Sequence, residues 1–198
     1  MRILNMKSLR KHVVILHGAY GHPEENWFGW LKRALISADI GCTVPSFPTP
    51  HGQSLARWFS VLERLDEVRW DSNTILIGHS LGAVCALRWL EQHEIYIRVA
   101  ILVSVLIKPT GIDKFDRINT SFFAEPFLWN EIKHKAQDFI LFHGDNDPYV
   151  SQSQFQMIAQ QLSAKKIVIS KGGHLNAAAG YICFPHLWMQ LKQLVLIQ

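Results

Sequence analysis

Ser80 lies in the stretch Gly78-His79-Ser80-Leu81-Gly82, which fits G-x-S-x-G. The residues before it, Thr74 to Ile77, are β-branched or apolar and read as a buried strand. The residues after it, Ala83 to Gln92, read as a helix. A serine on a sharp strand-to-helix turn is the arrangement of an exposed nucleophile. Such a turn is strained, and Gly78 and Gly82 remove the Cβ atoms that would collide in it. The N–H of Leu81 would point where an oxyanion forms, and the helix N-terminus adds partial positive charge there. A structural turn with an idle serine could be spelled the same way, so the other residues of the chain decide.

A serine hydroxyl attacks only when a base takes its proton, and the base needs a pKa near neutrality. Lys171-Gly172-Gly173-His174 follows an expected strand, and its glycines let the backbone bend so that His174 reaches Ser80. A carboxylate must hold the imidazole tautomer. Asp145-Asn146-Asp147-Pro148-Tyr149-Val150 supplies two candidates. Asp147 is preferred, because Pro148 stiffens the loop after it. Asp145 is the alternative, or else braces the turn. His186 is the other histidine after the acid, but it falls within the expected last helix. His79 neighbours the serine and is read as a packed residue. His17 is read as a brace for the first loop, where the N–H of Ala19 is expected to complete the oxyanion hole with that of Leu81. His17, His22 and His51 lack any HExxH-like spacing, so no metal is expected.

These groups need a scaffold that gathers them. Val13 to Leu16, Cys42 to Phe47, Thr74 to Ile77, Arg98 to Ser104, Asp138 to His143 and Lys165 to Ser170 read as strands. Trp27 to Asp39, Ser54 to Val68, Ala83 to Gln92, Pro126 to Ala136, Ser151 to Ser163 and Leu187 to Ile197 read as helices, with Asn26 and Ser54 as N-caps. Alternating strands and helices predict a parallel α/β sheet with right-handed crossovers. In such a sheet the carboxyl ends of the strands converge on one edge, and Ser80, the acidic loop and His174 all fall there. Val105 to Gln137 is long enough for a small cap only. Tyr20, Phe122, Phe123 and Tyr149 are the aromatics expected near the site, and Trp27 and Trp30 are expected in the core.

The chain has 198 residues, 48% hydrophobic and 18% charged, which describes one globular domain over 1–198. Its net charge is +4, but the basic residues are scattered and the densest run is Lys7 to His12, so nucleic-acid binding is not expected. Three cysteines without CxxC spacing suggest a reduced, cytoplasmic protein. The apolar run at Val13 to Leu16 is too short for a signal peptide, and no stretch reaches transmembrane length.

The segments His17-Gly18, Pro23 to Leu31, Gly78 to Gly82, Asp145 to Val150 and Gly172 to Asn176 together resemble the small serine hydrolases related to retinoblastoma-binding protein nine and bacterial YdeN. The elbow is shared by many hydrolases, whereas Asn26-Trp27-Phe28-Gly29-Trp30-Leu31 is the more particular mark. The resemblance implies a three-layer α/β-hydrolase fold without a large lid, with Ser80, Asp147 and His174 as the triad; no cofactor is expected. The expected activity is hydrolysis of small carboxylic esters through an acyl-enzyme. A thioesterase would use the same parts, and a protein-binding module on the same fold is the rival from another class.

Overall fold

The computed structural model describes residues 11–195. The basic run at 7–12 and the end of the expected C-terminal helix fall partly outside them. Among the described residues six strands form one sheet: β1 (His12–Leu16), β2 (Gly41–Thr43), β3 (Thr74–His79), β4 (Ile97–Val103), β5 (Ala136–Gly144) and β6 (Lys165–Ile169). Their order is β2-β1-β3-β4-β5-β6, and every neighbouring pair is parallel. The helices are α1 (Phe28–Ser37), α2 (Leu55–Leu62), α3 (Leu81–Gln92), α4 (Asp113–Asn119), α5 (Trp129–Ile132), α6 (Gln152–Gln161) and α7 (Pro185–Val195).

Successive side chains of a strand point to opposite faces. Val13, Ile15, Ile75, Ile77, Val99 and Ile101 therefore pack on α1 and α7 through Phe28, Leu31, Leu187 and Leu191. Val14, Leu16, Leu76, Ala100, Leu102 and Leu141 pack on α2, α3 and α6 through Trp58, Val84, Leu87, Phe155 and Ile158. Helices on both faces explain why the central strands read as continuous apolar runs. Burying each of these Val, Leu and Ile side chains contributes about 1.5–3 kcal/mol. The direction of winding changes between β1 and β3, and the crevice at such a switch point is where open α/β sheets bind ligands.

Four elements depart from expectation. β2 ends at Thr43 because Pro45 has no N–H to continue the ladder. α2 stops at Leu62 and tightens into turns, with Leu65 N–H donating to the Leu62 carbonyl at 3.2 Å. Leu65 still packs on the core, but from that turn. The expected helix over Pro126 to Ala136 shrinks to Trp129–Ile132, because Ala136 already pairs with Ile97 as part of β5. α4 was not foreseen. Its seven residues carry only Phe115 and Ile118 as apolar positions, and its start is held by Asp116, whose carboxylate accepts from the N–H groups of Thr110 and Gly111, each at 2.8 Å.

α3 is buried along Leu81 to Leu90, including Arg88. The Arg88 guanidinium pairs with Glu91 at 2.7 Å and donates to the carbonyls of Phe122 and Pro126 at 3.1 and 3.2 Å. It thereby ties the segment below α4 to the helix that follows Ser80. No helix among the described residues is long and apolar enough to cross a membrane.

Candidate active site

Ser80 sits between β3 and α3 with φ 55° and ψ −122°, a region that costs a non-glycine residue about 1–3 kcal/mol. The surroundings hold it there. Its N–H donates to the Val103 carbonyl at 2.9 Å, and its carbonyl accepts from Ala83 N–H at 3.0 Å. A Cβ on Gly78 would lie 2.3 Å from Ala83 Cα, and one on Gly82 would lie 2.2 Å from the Leu16 carbonyl oxygen. Both glycines are therefore required by contact. Leu81 opens α3, so its N–H has no acceptor within the helix.

The loop after β1 passes over the serine, and a Cβ on Gly18 would approach Ser80 Cβ to 3.2 Å. His17 braces that loop. Its Nδ1–H donates to the Gly18 carbonyl at 2.9 Å, and its Nε2 accepts from Phe47 N–H at 3.0 Å. Burial pushes its pKa down, which keeps the neutral tautomer those two bonds require. Ala19 and Ser80 line the same cleft.

Two further loops bring the acid and the imidazole together. His174 Nδ1–H donates to Asp147 Oδ2 at 2.9 Å, with Oδ1 at 3.1 Å. The Asp147 side chain is fully shielded from solvent. Burial alone would raise its pKa, but bonds from His174 and from the N–H groups of Tyr149 and Val150 outweigh it, and the net shift is downward. The His174 tautomer leaves Nε2 with the lone pair, and His174 lines the cleft together with Ser80. Asp145 is engaged elsewhere, because its Oδ1 accepts from Lys171 N–H at 2.7 Å. His186 is exposed on α7. His79 is buried and donates from Nε2 to the His174 carbonyl at 2.9 Å.

The cleft encloses about 380 Å³. α4 roofs it, with Phe115 edge-on to Tyr20 at 5.6 Å and to Tyr149 at 6.1 Å between ring centres. The Tyr149 ring in turn stands edge-on to His174 at 4.8 Å. The Tyr20 hydroxyl donates to the Lys114 carbonyl at 3.1 Å, joining the first loop to the roof. Glu25 and Lys114 are ionisable groups of the lining, and burial raises the Glu25 pKa. Of the aromatics expected here, Tyr20 and Tyr149 line the cleft. Phe122 does not: it is fully buried against Trp58, 4.9 Å between ring centres. Phe123 packs against the same core. Trp27 and Trp30 lie in the core of the other face. Phe115 was missed, since nothing in the sequence marks α4 as a roof. Asn26 is not the cap of α1. It takes φ 50°, which asparagine tolerates, and its Oδ1 accepts from Ala177 N–H at 2.7 Å. Among the described residues no group of three histidines, cysteines or acids is placed to hold a metal ion.

The sequence model of the serine hydrolase family matches residues 13–193. Serine hydrolase RBBP9 of Rattus norvegicus is 32% identical over 173 residues, covering 86% of this chain and 90% of that protein. YdeN of Bacillus subtilis is 29% identical over 181 residues, covering 89% and 92%. The crystal structure of the B. subtilis ydeN product superposes with a TM-score of 0.82 at 27% identity, over 92% of this chain and 97% of that one. Est1E of Butyrivibrio proteoclasticus, solved with ferulic acid, shares the fold at a TM-score of 0.65 and 16% identity, covering 93% of this chain and 89% of that one. With an α/β-hydrolase fold and a family match along nearly its whole length, the chain belongs to the serine hydrolase family.

Proposed function

We propose that the protein is an esterase that cleaves small carboxylic esters through an acyl-enzyme on Ser80. The observation that carries this reading is the 2.9 Å bond from His174 Nδ1–H to Asp147, made on the cleft that Ser80 also lines. In this mechanism His174 Nε2 takes the Ser80 proton as Oγ attacks the ester carbonyl. The Asp147 carboxylate stabilises the imidazolium. The N–H groups of Leu81 and Ala19 receive the oxyanion, and the helix N-terminus favours the same charge. His174 returns the proton to the leaving alkoxide. A water then repeats the sequence on the acyl-enzyme and frees the acid.

The strained backbone of Ser80 supports the reading, because such strain persists where the surroundings over-determine it and concentrates at functional sites. A single domain over 1–198 and a cytoplasmic location go with it, and the thiols of Cys42, Cys85 and Cys183 are all free. A fluorophosphonate probe tests the core of the proposal. It is expected to label the folded protein at Ser80 and to leave Ser80→Ala unlabelled. Folded wild-type protein that takes no label and turns over neither ester nor thioester would point to a binding module instead.

A further inference from the structure

The loop that carries His174 is strained. Lys171, Gly173 and Leu175 have φ values of 54°, 55° and 50°, and Leu175 is fully buried. Left-handed conformations persist in bulky residues only when neighbours enforce them. Five side chains hold this loop, each bonding the backbone of a different loop residue, and those of Asp145 and Trp27 bond the left-handed Lys171 and Leu175 directly. Asp145 accepts from Lys171 N–H and Asn146 from Gly173 N–H, both at 2.7 Å. His79 donates to the His174 carbonyl at 2.9 Å. Trp27 Nε1–H donates to the Leu175 carbonyl at 3.0 Å, and Asn26 accepts from Ala177 N–H at 2.7 Å. The last two partners lie about 150 residues earlier in the chain, in the segment that most marks the sequence.

We infer that Asn26 and Trp27, with His79, are positioning residues that hold the His174 imidazole in register with Asp147. The inference rests on the esterase reading for its kinetic arm only. Asp145 and Asn146 bond the loop just before His174, Trp27 and Asn26 bond it just after, and His174 lies between the two grips. Burial drives the His79 pKa down to about 3, so at working pH its ring is neutral and Nε2–H remains a donor. A small drift of the loop would move Nε2 relative to the serine, and a misplacement of about 1 Å can cost about 10²-fold in rate.

Three variants separate positioning from mere support. Asn26→Gly keeps the φ of 50° accessible but removes the acceptor, and Asn26→Asp keeps both. Trp27→Phe keeps an aromatic ring but removes the donor. On p-nitrophenyl acetate, Asn26→Gly and Trp27→Phe are expected to lower kcat about tenfold or more with KM within about twofold, and Asn26→Asp to restore kcat. In parallel, the low-field proton resonance of His174 Nδ1–H should broaden or move upfield in the first two and return in Asn26→Asp. Wild-type kcat and an unshifted resonance in Asn26→Gly and Trp27→Phe would overturn the inference. A fall in melting temperature with kcat per folded molecule unchanged would overturn it as well. If wild-type protein cleaves no ester, the esterase reading fails, and the resonance alone decides the positioning role.

Discussion

Gly144 and Gly173 press against each other, so that a Cβ on Gly144 would lie 2.2 Å from the Gly173 carbonyl oxygen. Gly144 ends β5 just before the acidic loop, and Gly173 precedes His174. The contact sets the spacing between the two loops. Gly144→Ala must push them apart, because the obstacle is backbone and not the end of a flexible side chain. The expected result is a loss in kcat of about 10²-fold, from misplacement of His174 relative to Asp147. Steady-state kinetics on p-nitrophenyl acetate check it, and near-normal kcat would show that the spacing tolerates the shift.

The two aspartates should separate cleanly. Asp147→Asn leaves an amide facing His174 Nδ1, which disfavours the tautomer that the proposed base needs, and kcat should fall on the order of 10⁴-fold. Asp145→Asn keeps an oxygen for Lys171 N–H and should change kcat far less. The reverse ranking would mean that the acid has been assigned to the wrong residue.

Acyl-chain preference follows from the roof. Each buried methylene contributes about 0.8 kcal/mol, or about fourfold in kcat/KM, but only while a wall remains to cover it. Leu106, Phe115 and Tyr149 provide that wall in a cleft of about 380 Å³. We expect kcat/KM to peak between acetyl and butyryl esters and to decline beyond. Phe115→Ala should erase much of the advantage of butyryl over acetyl. A steady rise to decanoyl esters would reveal a longer apolar channel than this roof forms.

Acid should weaken the fold before it protonates the buried acid. Burial first, and then the charge of His174, lowers the His79 pKa from 6.5 to about 3. Below pH 6.5 the unfolded chain therefore binds a proton that the folded chain refuses, and stability falls as the pH drops towards 3. Where the two states differ by one full proton the slope is about 1.4 kcal/mol per pH unit. His12, His17 and His143, also shifted down by burial, act in the same direction. The Asp147 contribution is present above its ordinary pKa of 3.8 and is lost only as the pH falls below that, because its folded pKa is depressed. Melting temperature measured from pH 7 to 4 should decline, and His79→Gln should flatten part of the decline. An unchanged slope in that variant would show that His79 titrates normally.

Whatever could be read from the chain alone was written in local patterns. The apolar runs before Gly78 and Gly144 announced buried strands, because both faces of this sheet are covered. The glycines at 78 and 82 announced the elbow, because contacts within a few residues, and with the end of β1, exclude any Cβ there. The order of Ser80, the acidic loop and His174 placed them at one sheet edge, since parallel strands put their carboxyl ends together. Tertiary structure decided what depends on partners far away in the chain. Asp147 rather than Asp145 meets the imidazole because Lys171 claims the other carboxylate across two loops. Asn26 serves Ala177 and not its own helix, and Phe122 belongs to the core under Arg88 while Phe115 faces the cleft. α4 exists because Asp116 satisfies the N–H groups ahead of it, a bond that leaves no periodic trace in the sequence. Periodicity reports which face is buried; it carries no record of which distant group will be waiting there.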